Sequence, residues 1–98
     1  MALKTSKFDA ADYLETTEDI SHFLEDAFAE GDPAFIAHAL GIVARSKGMS
    51  ELADQVGVSR QSLYVALSES GNPSLSTFLG VLKALGLKLV PTPVPEAA

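Results

Sequence analysis

The sequence predicts an all-α fold of about five helices, and three observations support this prediction. Apolar residues recur at intervals of three and four, which is the spacing of one face of a helix. Residues that begin and end helices separate these periodic stretches at helix-length intervals. Residues 49–69 also have the spacing of two short helices joined by a tight turn.

The first long helix is predicted to begin after Thr16, because Thr16 and Asp19 have the spacing of a capping box. It is expected to end at Gly31. A short helical turn at residues 8–14 would precede it. The apolar positions of the helix follow i, i+3, i+4, i+7 and i+8, which defines its core face: Ile20, Phe23, Leu24, Ala27 and Phe28.

The second long helix is predicted to run from an N-cap at Asp32 to about Lys47, with Gly48 ending it. Pro33 suits the first helical position because that position needs no backbone N–H donor. The apolar residues of this helix cover more than one face, so we expect it to lie at the centre of the core: Phe35, Ile36, Ala39, Leu40, Ile42 and Val43.

Residues 49–69, MSELADQVGVSRQSLYVALSE, predict a helix-turn-helix. Ser50 is a good N-cap for the first helix, and Ser59 for the second. Gly57 permits the left-handed conformation of a tight turn, and Val58 would fill the corner between the helices. The residues expected to face the core are Leu52, Ala53, Val56, Leu63, Ala66 and Leu67.

A last helix is predicted after the turn sequence SGNP at 70–73, with Ser74 as N-cap and Gly86 at its end. Residues 88–90 suit a short edge strand or extended chain. Three prolines at 91–95 favour an extended, poorly ordered tail. The residues of the last helix at core spacing are Leu75, Phe78, Leu79, Leu82 and Leu85.

This order of elements indicates a lambda-repressor-like bundle that carries an extra acidic helical segment at its N-terminus. We divide the chain into a flexible N-terminus at 1–7, the acidic segment at 8–31, the helix-turn-helix domain at 32–90 and a disordered tail at 91–98. No apolar run reaches the roughly 18 residues of a membrane span, and no signal-type stretch precedes residue 8. A cytoplasmic location with no membrane partner is therefore expected.

The acidic residues are unevenly distributed. The 98-residue chain has a net charge of −6, yet residues 1–32 hold nine acidic and two basic residues. Residues 33–98 hold four acidic and five basic residues, so the region of the predicted helix-turn-helix is close to neutral. With so few cations, binding to DNA would depend on base contacts and on two copies of the chain. We therefore expect a homodimer that reads two half-sites.

The outward-facing side chains of the predicted recognition helix suit double-stranded DNA. Arginine pairs with guanine and glutamine with adenine, whereas hydroxyl groups contact phosphate or a thymine edge. An ordinary helical hairpin with a polar outer face is the alternative. The candidate DNA-binding residues are Ser59, Arg60, Gln61, Tyr64 and Ser68, with Lys47, Ser50 and Asn72 flanking them.

Three stretches of the chain resemble the HigA-like addiction-module antidotes, which are antitoxins with an Xre-type helix-turn-helix. They are FDAADYLETTEDISHFLEDAFAEGDPAFIAHALG at 8–41, GMSELADQVGVSRQSLYVALSE at 48–69 and GNPSLSTFLGVLKALGLKL at 71–89. The last is the most specific, because helix-turn-helix proteins in general do not require that turn before a leucine-rich helix. The resemblance implies an antitoxin that binds a small basic toxin of the RelE/ParE superfamily and represses their shared operon.

The acidic segment is the expected toxin contact, since an acidic amphipathic helix can cover a basic surface. The alternative is a solvated face that keeps the protein soluble, in a stand-alone Xre-type regulator with no toxin. A third possibility is an interaction module that does not bind DNA. The candidate toxin-binding residues are Glu18, Phe23, Glu25, Asp26 and Glu30.

Enzymatic activity, a cofactor and a metal are not expected. The chain has no cysteine, and its two histidines, His22 and His38, have no carboxylate at a ligand-like spacing. Ser59 has no His or Asp partner pattern for nucleophilic catalysis, and the N-cap role accounts for it.

Overall fold

Residues 14–95 are described by the structure, a computed structural model, and they form five helices and no strand. This confirms the prediction of an all-α bundle. The predicted N-terminal turn lies outside the described residues except for Leu14, which is buried. None of the helices within residues 14–95 is long and apolar enough to cross a membrane. The helices are α1 (Thr17–Glu30), α2 (Pro33–Lys47), α3 (Met49–Val56), α4 (Arg60–Ala66) and α5 (Leu75–Ala84).

Helix α1 begins with the predicted capping box. The side chain of Thr16 accepts a hydrogen bond from the backbone N–H of Asp19 at 3.0 Å, and the Asp19 carboxylate accepts one from the backbone N–H of Thr16 at 3.2 Å. The second bond gives the carboxylate a backbone donor that an unfolded chain would not hold in place. This bond is the main cause that lowers the pKa of Asp19 below its ordinary value.

The buried face of α1 packs against α2. Ile20, Leu24 and Ala27 are buried, and Phe23 and Phe28 are half-buried against the same core. These residues belong to one hydrophobic cluster with residues of α2, α3 and α5 and with Leu63 of α4. Helix α1 is therefore an integral part of the core.

Helix α2 occupies the centre of the bundle, as predicted, and packs against both α1 and α3. Leu40, Val43 and Ala44 have no accessible surface. The prediction that Phe35 lies in the core is wrong, because its side chain is 42% exposed. Phe35 lies in the first turn of α2 and borders a surface groove together with Ala39, one turn further along, so the core covers only part of its ring.

Helix α5 contributes Val81, Leu82 and Leu85 to the core, and the ring of Phe78 stacks on Phe28 of α1 with centroids 6.0 Å apart. Two predicted core residues of this helix are exposed, Leu75 at 69% and Leu79 at 42%. Leu75 is the first residue of the helix, at the end of the bundle, and Leu79 lies about 100° around the helix from Phe78. The periodicity of apolar residues along α5 therefore predicts a wider core face than the structure has.

The chain after α5 has no regular secondary structure over residues 87–95. Residues 88–90 form no strand, and Leu89 and Val90 are exposed. Residues 91–95 have no regular secondary structure. Of the two alternatives for residues 88–90, the edge strand is therefore wrong.

Helices α2 and α4 approach closely at Gly41. A Cβ atom added to Gly41 would collide with the backbone carbonyl oxygen of Leu67, the residue that caps α4. A backbone carbonyl at a helix end cannot move aside as a flexible side chain can. Glycine at position 41 is therefore what allows the end of α4 to rest on α2.

The Asp19→Asn variant tests the capping box. Because the folded protein lowers the pKa of Asp19, its ionised carboxylate stabilises the fold above the ordinary pKa of 3.8. That contribution is lost as the pH falls through the lower folded-state value. We expect the variant to be less stable than wild type near neutral pH, and the difference to shrink in urea titrations below pH 3.8. Glu18→Gln removes the same charge next to the box and controls for net charge; an equal pH-dependent loss in both variants would contradict the prediction.

The Gly41→Ala variant tests the close approach of α2 and α4. Alanine would favour a helix interior by about 0.5–1 kcal/mol, whereas overpacking against backbone costs about 1–3 kcal/mol. We expect a net loss of about 1–2 kcal/mol in the free energy of unfolding, measured with urea. Gly80→Ala is the matched control, since its added Cβ would meet only the Val56 side chain, at 3.3 Å. A stabilised Gly41→Ala protein would show that the two helices are not in close contact.

Candidate nucleic-acid interface

Helices α3 and α4 form the predicted pair of short helices, joined by the three residues 57–59; we call residues 49–66 the α3–α4 unit. Gly57 has a φ of 89°, and the backbone N–H groups of Gly57 and Val58 both donate to the carbonyl of Ala53. Val58 is half-buried against the core, as predicted for the corner residue. The turn thus depends on a left-handed glycine followed by an apolar side chain.

The side chain of Ser59 caps α4. Its hydroxyl oxygen accepts a hydrogen bond from the backbone N–H of Ser62 at 2.9 Å and donates one to the Ser62 hydroxyl at 2.9 Å. Leu63 and Leu67 anchor the inner face of α4 in the core, and Ala66 is half-buried. One face of α4 is thereby fixed inward, and the other faces solvent.

The outer face of α4 carries three of the predicted DNA-binding side chains. Arg60, at the first helical position, and Gln61 are exposed, and Tyr64 is 53% exposed. Within residues 14–95, no side-chain hydrogen bond or salt bridge occupies any of the three. Their donors and acceptors are therefore available to a ligand.

Two further residues of α4, Ser62 and Val65, are exposed but were not among the predicted DNA-binding residues. Val65 is 54% exposed and lies four positions after Gln61, so both side chains share one face of the helix. Helical periodicity indicates that Val65 faces outward, but an apolar side chain gives no sequence signal for a polar interface. An exposed valine beside an exposed glutamine suits a surface that meets a methyl group as well as a hydrogen-bonding edge.

The roles predicted for two serines need correction. Helix α3 begins at Met49 with Gly48 as its N-cap, so Ser50 is not the cap and lies exposed in the first turn. The reason is that Gly48, with a φ of 105°, turns the chain directly from α2 into α3. Ser68 is half-buried after the end of α4, and its hydroxyl donates to the carbonyl of Val65 at 2.8 Å. Because α4 stops at Ala66, helical spacing does not extend its outer face to Ser68.

The other flanking candidates lie in two separate surface pockets. Lys47, at the end of α2, lines a pocket with Glu51 and Gln55 of α3. Asn72 lines a mainly apolar pocket with Ile36 and Phe78. Neither pocket includes a residue of α4.

The candidate toxin-binding residues lie on α1, on the solvent side of the bundle. Glu18, Glu25, Asp26 and Glu30 are exposed, and Phe23 is half-buried. Within residues 14–95, Nδ1 of His22 lies 3.8 Å from Oε1 of Glu25 on the surface, a contact that is an ion pair only when the imidazole is protonated. In the same part of the chain, no group of three or more His, Asp or Glu side chains is placed to hold a metal ion.

Comparisons with known proteins show the family to which the chain belongs. A family model described as "Probable addiction module antidote protein" matches residues 4–93. The chain belongs to this family. It is also similar to an uncharacterized protein of Haemophilus influenzae, with 40% identity over 88 residues that cover 90% of this chain and 91% of the relative. No solved structure matches the chain.

Proposed function

We propose that this antidote-family protein is a DNA-binding antitoxin. It neutralises a toxin of the RelE/ParE superfamily by direct binding, and it represses its own operon through the α3–α4 unit. The observation that carries the DNA-binding part is the outer face of α4, where Arg60, Gln61 and Tyr64 are exposed and free of partners within residues 14–95. The family description supports the antitoxin part.

Recognition of DNA by α4 follows from the position and chemistry of its side chains. Arg60 lies at the N-terminus of the helix, the end with which a recognition helix meets the major groove. Its guanidinium suits guanine, the Gln61 amide suits adenine, and the exposed Val65 suits a thymine methyl group. Tyr64 presents a hydroxyl that suits phosphate.

A homodimer is part of the proposal, because one copy presents a single basic side chain on α4. Few phosphate contacts give weak non-specific affinity, and two linked half-sites multiply the contribution of the base contacts. The two recognition helices would then lie about one helical turn of DNA apart, or a multiple of it.

Arg60→Ala tests recognition of DNA. We expect the variant to bind operator DNA more weakly by about 1–3 kcal/mol, because one bidentate base contact is lost, with no change in thermal stability. Binding is measured by titration of labelled promoter DNA of the operon. Lys83→Ala is the control, since it removes one exposed positive charge from α5. If Arg60→Ala and Lys83→Ala have equal effects, α4 does not read bases through Arg60.

Binding of the toxin is tested by titration with the product of the neighbouring open reading frame. We expect tight binding by wild type, and affinity reduced about three- to tenfold at low salt in the Glu25→Gln/Glu30→Gln variant. Glu51→Gln/Glu69→Gln removes the same charge from exposed positions outside α1 and is the matched control. Point variants are used because removal of α1 would expose the core. If the folded wild-type protein does not bind that product, the stand-alone regulator is the better description.

A further inference from the structure

Helices α1 and α2 enclose an apolar groove on the surface of the bundle. Its volume is about 410 Å³, and apolar side chains of both helices form its walls: Phe23 and Ala27 from α1, and Phe35, Ala39 and Ile42 from α2. Grooves of this kind between two helices accept an amphipathic segment that lays its apolar face against the walls. Only the α1 side of this groove was predicted from the sequence as a contact surface.

Phe35 is the distinguishing residue of the groove. It is a large aromatic side chain on the central helix, yet 42% of its surface is exposed. Exposed aromatic side chains beside an apolar depression are typical of anchor positions in protein interfaces, because they bury a large rigid surface on binding. The core does not need this side chain, since α2 is already packed through Leu40 and Val43.

The charges beside the groove favour a basic occupant. Asp26 is the one acidic residue that lines the groove, beside His22 and His38, and Glu18 and Glu30 are exposed on the same helix. Helix α1 contains no Lys or Arg, and Asp26 and Glu30 are four positions apart, a spacing at which like charges repel. Glu30 also lies at the C-terminal end of α1, where the helix dipole disfavours an anion. A cationic partner would relieve all of these unfavourable interactions.

We infer that this α1–α2 groove is the docking site for a basic amphipathic segment of the toxin. The apolar side chains of the segment pack on Phe35 and Phe23, and its Lys or Arg side chains pair with Asp26 and the neighbouring carboxylates. The inference rests on the proposed antitoxin function and adds α2 to the contact surface. It also distinguishes Asp26, which lines this groove, from Glu25, which lines a different pocket beside residues 87–90.

The position of the groove has a consequence for DNA binding. All of the residues that line the groove belong to α1 and α2, and none belongs to α3 or α4. A segment seated in the groove therefore does not need Arg60, Gln61 or Tyr64 for its contacts. We expect the protein to hold the toxin and the operator in the same complex.

The test is a titration of the full-length protein with the toxin encoded by the neighbouring open reading frame. We expect Phe35→Ala and Asp26→Asn each to weaken toxin binding at least about tenfold, and Asp26→Asn to reduce the salt dependence. Leu79→Ala is the control for Phe35→Ala, since Leu79 is also 42% exposed. Asp54→Asn, at an exposed position of α3, is the control for Asp26→Asn. Both controls should bind the toxin within about twofold of wild type.

The outcomes distinguish a failure of the groove inference from a failure of the proposed antitoxin function. If wild type binds the toxin and both groove variants bind it like their controls, the groove inference is wrong and the antitoxin function stands. If folded wild type does not bind the toxin, the antitoxin function itself fails. Asp26→Asn keeps the size of the side chain, so it remains informative if Phe35→Ala melts at a lower temperature. Toxin that releases labelled operator DNA from the protein, instead of joining it, would overturn the simultaneous complex.

Discussion

The burial of α2 positions the other helices of the bundle. Leu40, Val43 and Ala44 have no accessible surface, and the helix contacts α1 on one side and α3 on another. Because residues of α2 face several neighbours, a change in its packing would move α1 and the α3–α4 unit together. Gly41 has no side chain, so the end of α4 rests on α2 at the Leu67 carbonyl. The position of α4 therefore also depends on α2. The orientation of the outer face of α4 is therefore set by packing on its opposite side.

The local features of the fold were predictable from the sequence, because their causes lie within a few residues. The capping box at Thr16 and Asp19, the cap at Ser59 and the left-handed turn at Gly57 each require only neighbouring backbone. The helix periodicities also gave the central position of α2 correctly. Of the predicted DNA-facing residues, Arg60, Gln61 and Tyr64 are exposed on one helix because Leu63 and Leu67 fix its inner face.

The wrong predictions have a different origin. Each depends on where a neighbouring helix lies or on where the helix itself ends. Leu75 has core spacing but lies beyond the packed part of the bundle, and Phe35 borders a groove that only the pairing of α1 and α2 creates. Ser68 was assigned to the outer face of α4 on the assumption that the helix continues past Ala66. A pattern along one helix defines a direction around its axis, whereas burial depends also on the lengths and positions of its neighbours. The groove could not be predicted for the same reason.

The distribution of charge connects the two proposed binding surfaces. Carboxylates are concentrated on α1, whereas the outer face of α4 carries Arg60 and no acidic residue. At physiological ionic strength, screening acts over about 8 Å, so acidic groups on α1 repel DNA phosphates at α4 less than they do at low salt. Binding of a basic protein on α1 would neutralise part of the net charge of −6 and so reduce the repulsion that remains. On this electrostatic ground alone, occupation of the α1–α2 groove would strengthen the binding of operator DNA, most strongly at low salt.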